Sequence, residues 1–248
     1  MGVVSVKAPV VYYHKVDNPD PKARLKGIYI LPRRFDLQMK LLKLMGYHTI
    51  NPDELLDSLE GKGTLPPKPI IITFDDGYQD NYTQALPILK KYGFGATVFV
   101  TVNHIGKYTV NAPGGNETMP AQMLTWEEMK QLEREGITIG SHTLTHRSLN
   151  RLNGEEVYRE CAESKRILEE GLGHTVDFLA YPFGDFNAQV ARVVKECGYR
   201  AAFTTISGRF HCSTDLFTLK RIKVKNRQHP FSFLSRLLVK PYDENNCR

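Results

Sequence analysis

The sequence predicts an α/β fold, a β/α barrel of seven or eight parallel strands, and three observations point to it. Apolar runs rich in β-branched residues, such as Ile70-Ile71-Ile72-Thr73-Phe74 and Ala96 to Val102, read as strands buried on both faces. Helical stretches separate these strands, and no linker or composition break interrupts the 248 residues. The residues best suited to chemistry (His14, Asp75-Asp76, His142 and the turn Tyr181-Pro182-Phe183-Gly184) all follow strands. In such barrels the site lies at the strands' C-terminal edge.

Taken in order, Val3 to Tyr13 is a Val- and Tyr-rich strand ending at His14. A polar loop leads to a helix from Leu31 to Met45, whose leucines recur at i and i+4 and which Gly46 stops. Tyr47 to Ile50 is a short strand and Pro52 to Leu59 a second helix. After the Asp-Asp strand, Tyr82 to Tyr92 is a helix closed by Gly93. Residues 103–123 lack periodicity, as a functional loop does. Thr125-Trp126-Glu127-Glu128 is a capping box opening the next helix. Strand Ile137 to Gly140 precedes Ser141-His142-Thr143-Leu144-Thr145-His146. A helix from Asn153 to Leu172, strand Asp177 to Tyr181, helix Ala188 to Cys197, strands Ala201 to Thr205 and Leu219 to Val224, and a helix near Phe231 to Leu238 complete the chain.

The apolar content of 41% and charged content of 24% exclude a disordered or fibrous chain. A formal charge of +6 suggests an anionic neighbour, but no nucleic-acid motif accompanies it, so a solvated basic face is expected. Cys161, Cys197, Cys212 and Cys247 lack CxxC spacing, which argues against a zinc-cysteine site and implies no disulfide framework. No apolar run is long enough to cross a bilayer. Met1-Gly2-Val3-Val4 opens without a signal segment, so the protein acts inside the cell or its export segment lies outside this chain.

The Asp75-Asp76-Gly77 end of the central strand has two readings. One is an Asx-type turn. The other is a site where Gly77 bends the chain, one carboxylate holds a metal and its neighbour moves a proton. His142 and His146 are four apart; on a helical turn their rings would share one face, with Cβ atoms about 5–6 Å apart. Such a pair is either a surface pattern or, joined to Asp76, a two-nitrogen, one-oxygen set suited to Zn²⁺.

Thr73-Phe74-Asp75-Asp76-Gly77 and Ser141 to His146 resemble the first two motifs of the polysaccharide deacetylases, carbohydrate esterase family 4 with its NodB-homology domain. Tyr181-Pro182-Phe183-Gly184 resembles the third, and the likeness runs from about Val10 to Val224. It implies a single domain over 1–248, a distorted (β/α) barrel of about seven strands, that removes N-acetyl groups from a glycan. By the resemblance Asp76, His142 and His146 hold one divalent ion (Zn²⁺, with Co²⁺ or Ni²⁺ as alternatives), Asp75 is the general base, and the Phe183 N–H completes the oxyanion site. Amide hydrolysis needs a nucleophile, an electrophile for the oxyanion and a proton for the leaving amine, which this set could supply.

Two departures stand out. The third motif usually carries an arginine that orients the base, and Ala180 stands there; Arg221 is either its substitute or a plain surface arginine. The usual C-terminal Leu-x-His is missing, since Leu219-Lys220-Arg221 has no histidine and His229 lies further on beside a proline. His14 is the candidate acid, because the first strand of a closed barrel lies beside the last; the alternative is a hydrogen-bonded rim histidine. An N-terminal Tyr-His is similar to the circularly permuted sub-group that deacetylates biofilm poly-β-1,6-N-acetyl-D-glucosamine. Tyr78, Trp126, Tyr181 and Phe183 could offer sugar platforms, while His48, His104, His174 and His211 are read as surface residues. An extracellular or cell-surface monomer is expected, with no nucleic-acid partner. Its basic surface could touch anionic membrane or wall polymer, with the apolar contact at Ile28, Tyr29 and Ile30. Peptidoglycan or chitin-oligomer deacetylation, an inactive glycan-binding module, and a Mg²⁺ phosphotransferase are the rival readings. Histidine ligands suit the last poorly.

Overall fold

The computed structural model describes residues 3–19, 26–109, 121–224 and 230–238. Seven parallel strands curl into a half-barrel: β1 (Val10–Tyr13), β2 (Pro69–Phe74), β3 (Ala96–Val100), β4 (Ile137–Ser141), β5 (Phe178–Ala180), β6 (Ala201–Phe203) and β7 (Ile222–Lys223). Their spatial order is β6-β5-β4-β3-β2-β1-β7, so all but the last lie in chain order. His48–Thr49 adds a short parallel pairing to β2. The helices are α1 (Pro32–Leu44), α2 (Pro52–Leu59), α3 (Leu86–Tyr92), α4 (Trp126–Arg134), α5 (Gly154–Leu172), α6 (Ala188–Glu196) and α7 (Pro230–Leu238).

Successive strand residues face opposite sides, and the two cores follow that period. Val11, Tyr13, Ile70, Ile72, Val98 and Val100 turn outward under Phe35, Met39 and Leu42 of α1, Leu89 of α3, Met129 and Leu132 of α4 and Phe233 of α7. Val10, Ile71, Phe99, Phe178 and Phe203 turn inward, and Leu55, Leu56 and Leu59 of α2 join that inner cluster. Each such side chain, fully buried, contributes about 1.5–3 kcal/mol. The capping box at Thr125 and Glu128 is formed, with reciprocal bonds of 3.2 and 2.9 Å.

Several expected elements change for local reasons. The first strand is broken at Ala8-Pro9: Ser5–Lys7 pairs antiparallel with Phe210–Cys212, and only Val10–Tyr13 enters the sheet. The helix expected from Tyr82 begins as a π-helical turn, Asn81–Ala85, just before Pro87, which has no N–H to donate. The final strand shrinks to Ile222–Lys223, because Arg221 turns its side chain into the fold and its N–H to the Ile206 carbonyl. Leu219 still bridges to β6, where it bonds Ala202 and Thr204. Tyr29 and Ile30 are buried and only Ile28 of the expected apolar contact stays partly exposed, packed by Tyr78 and Met123. Cys212 is disulfide-bonded, a feature the cysteine spacing gave no reason to expect.

Packing is close at the buried Gly140, where an added Cβ would lie 2.6 Å from the Phe99 ring and 3.1 Å from the Phe178 carbonyl. Gly140→Ala should therefore cost about 1–3 kcal/mol in chemical denaturation, as overpacking does. Adding Phe99→Leu should recover part of that loss.

Candidate metal centre and catalytic site

Ile71, Thr73 and Asp75 share the inner face of β2, so Asp75 points into the barrel. There it meets Arg221, which is wholly buried. The guanidinium donates to both carboxylate oxygens, at 2.7 and 2.8 Å, and also to the Thr73 hydroxyl at 3.2 Å. Its remaining Nε–H donates to the Thr204 carbonyl at 2.8 Å, and its face lies 4.5 Å from the Tyr12 ring centroid. Burial alone would raise the Asp75 pKa, but Arg221 outweighs it, with help from His142 and His14, and holds the carboxyl below its usual value.

By alternation Asp76 would face the opposite side. It does not, because Asp76 (φ 79°) and Gly77 (φ 81°) are both left-handed and turn the chain over. A side chain on Gly77 would also press on Val100 at 3.0–3.3 Å, so only glycine fits the second position. The turn brings Asp76 Oδ1 within 3.4 Å of His142 Nε2 and 3.2 Å of His146 Nε2. One ligand atom from each residue lies within 4.8 Å of the others.

The two histidines do not meet on a helix as expected. Residues 142–146 form a loop with two left-handed residues, Thr143 (φ 68°) and His146 (φ 60°), and this brings the rings to 4.9 Å between centroids. His142 Nδ1 bonds the Ala180 carbonyl at 2.7 Å, so it carries the proton and leaves Nε2 as a lone pair aimed at Asp76. Asp76 Oδ1 is buried without a hydrogen-bond partner. An unpartnered carboxylate oxygen beside the His142 lone pair and the His146 Nε2 is a donor set that fits a divalent cation.

His14, partly exposed, stands close enough to feel both Asp75 and Asp76. Burial lowers its pKa, and Asp76 and Asp75 pull it partly back, so the neutral ring predominates at pH 7. Asn81 Nδ2 donates to the His14 carbonyl at 2.8 Å, and Asp80 Oδ1 accepts from the Val16 N–H at 2.7 Å. These bonds grip the chain at His14 and two residues beyond it. Burial also pushes the Asp80 carboxyl up to about 7.

Phe183 (φ 61°) is exposed at the mouth, its ring edge-on to His146 at 4.7 Å. The other aromatic platforms are corrected. Tyr181 is fully buried, stacked on Phe186 and bonded to the Phe217 carbonyl; Tyr78 is buried beside Met123 under Lys15. Trp126 packs over Gly171. Two histidines read as surface residues are also corrected. His104 is close enough to feel His146, Asp76 and His142, though burial is the main cause of its lowered pKa. His211 is buried and bonds the Ala8 carbonyl. No sequence pattern marked His104, because the strand end that carries it holds no second ligand type.

The family model described as Polysaccharide deacetylase matches residues 62–202. A Bacillus subtilis protein named "Putative polysaccharide deacetylase YxkH" is 31% identical over 218 residues, covering 88% of this chain and 71% of that protein. A Staphylococcus epidermidis protein named poly-beta-1,6-N-acetyl-D-glucosamine N-deacetylase is 25% identical, over 86% of this chain and 78% of its own. The structure of the Streptococcus pyogenes deacetylase PplD in complex with acetate superposes with a TM-score of 0.80 at 26% identity, covering 94% of this chain and 99% of the other. The chain belongs to the polysaccharide deacetylase family, hydrolases that act on amide bonds of glycans.

Proposed function

We propose that this protein removes N-acetyl groups from poly-β-1,6-N-acetyl-D-glucosamine, with one divalent ion, Zn²⁺ in this reading, held by Asp76, His142 and His146. The observation that carries the metal dependence is the buried, unpartnered Asp76 Oδ1 facing imidazole nitrogens. The glycan is read from the S. epidermidis relative's name and from the N-terminal Tyr13-His14. The acetate in the S. pyogenes relative is the product such a reaction releases.

When bound, the ion would lower its water's pKa toward about 7 and polarise the acetyl carbonyl. Asp75 takes the proton of the attacking water, and the Arg221 fork fixes which lone pair it offers. The Phe183 N–H stabilises the developing oxyanion. His14 delivers a proton to the leaving amine; because it rests neutral, that proton must reach it during turnover. The Phe183 ring, open to solvent, is the platform for the sugar. We place the protein outside the cell, a reading the disulfide at Cys212 supports because disulfides persist in oxidising compartments.

Acetate release from β-1,6-linked oligomers should stop on chelation and return with Zn²⁺ or Co²⁺. Equal or faster release from β-1,4 oligomers would redirect the proposal to chitin or peptidoglycan. Asp75→Asn should lower kcat about 10²–10⁴-fold while metal stays bound. His14→Ala should lower kcat with little change in KM; a full rate would remove His14 as the acid.

Arg221→Met leaves Asp75 buried and alone, so it should cost about 3–5 kcal/mol at pH 7 in denaturant titrations. The Asp75 pKa is depressed in the folded state, so its contribution is complete above the unfolded carboxylate pKa and is lost as pH falls through the folded value. The gap between wild type and Arg221→Met should accordingly narrow below about pH 4.

A further inference from the structure

The loop that carries both imidazole ligands is expensive to hold. Thr143 and His146 are non-glycine residues in left-handed conformations, each costing about 1–3 kcal/mol unless the surroundings enforce them. The loop lies outside any helix or strand, so its backbone groups need partners elsewhere.

The Val102 and Asn103 N–H groups take the Thr143 and Leu144 carbonyls, and the partners of the Leu144 and Thr145 N–H groups come from one face of α5. Glu160 is almost wholly buried, with 5% of its surface exposed. Its Oε2 accepts the Thr145 N–H at 2.9 Å, its Oε1 accepts the Thr145 hydroxyl in a short bond, and its backbone carbonyl accepts the Leu144 N–H at 3.1 Å. One turn further along, the Ser164 hydroxyl bonds the Ser141 hydroxyl at 2.9 Å, and Ser141 Oγ also accepts the Thr143 N–H at 3.1 Å. The two α5 residues thus contact Ser141 and Thr145, the residues directly before His142 and His146.

We propose that Glu160 is a positioning residue for the metal ligands: its carboxylate clamps Thr145 and thereby sets where the His146 imidazole stands relative to His142 and Asp76. This rests on the metal reading above. A buried carboxylate is costly unless its oxygens accept hydrogen bonds, and here both are spent on one residue of the ligand loop. Val157, Cys161, Ser164 and Leu168 are the other buried residues of α5. Glu160 is the one acidic residue of that buried stripe, and its carboxylate is turned to the loop.

The test is zinc affinity of metal-stripped protein, measured by competition with a chromogenic chelator, for wild type, Glu160→Gln, Thr145→Val and the double variant, each shown to be folded by circular dichroism. Glu160→Gln keeps the shape but removes one acceptor, and Thr145→Val removes the hydroxyl alone. Each should weaken zinc binding about 10-fold or more, the scale of lost support behind a metal ligand. The double variant should be no weaker than the worse single one, because both act through one contact. Folded Glu160→Gln and Thr145→Val proteins that bind zinc like wild type, with only a lowered melting temperature, would overturn the proposal and leave Glu160 a packing residue. Wild type that binds no zinc would overturn the metal reading itself, and the clamp with it.

Discussion

Carboxylates on successive residues repel each other, and the structure depends on how Asp75 and Asp76 are kept apart. Left-handed backbone at Asp76 and Gly77 sends them to different partners. Asp75 stays on the inner face of β2 and is neutralised by a buried guanidinium; Asp76 swings to the mouth and meets two imidazoles. Without that turn alternation would place Asp76 against the outer core beside Phe74, where an ionised carboxylate has no counter-charge.

The division explains why adjacent acids can do different work. A carboxylate with both oxygens engaged by one rigid fork keeps its orientation and its charge, as a proton acceptor must. One facing two imidazole nitrogens is placed to share a cation with them. The family's usual arginine position carries Ala180, and the guanidinium arrives instead from Arg221, next to β7. β7 pairs with β1, so the segment bearing Arg221 and the strand ending at His14 are neighbours. Ala180 still contributes, through the carbonyl that fixes the His142 tautomer.

Support for the site comes from behind it. Asp80 and Asn81 grip the chain around His14, Ala180 orients His142, and α5 bonds the loop that presents His146. Several non-glycine residues with positive φ, namely Asp76, Thr143, His146 and Phe183, cluster at the mouth, where packing and hydrogen bonds must enforce them. Strain concentrated there is consistent with a site whose geometry is fixed before a ligand arrives.

The sequence alone determined the alternating α/β pattern, the strand-end placement of Asp75, Asp76 and His142, and the helix caps, because each depends on residues a few positions apart. It also marked Arg221 as the candidate partner of Asp75, yet nothing local distinguished it from a surface arginine. Only the tertiary structure decided that, by burying it across 146 residues of chain against the carboxylate. The same holds for the burial of Tyr181 and Tyr78, the approach of His104 to the imidazoles, and the loop that replaced the expected helical turn between His142 and His146. Periodicity reports which face of an element a residue occupies; what lies opposite that face is set by how the sheet curls, and no short window of sequence encodes the curl.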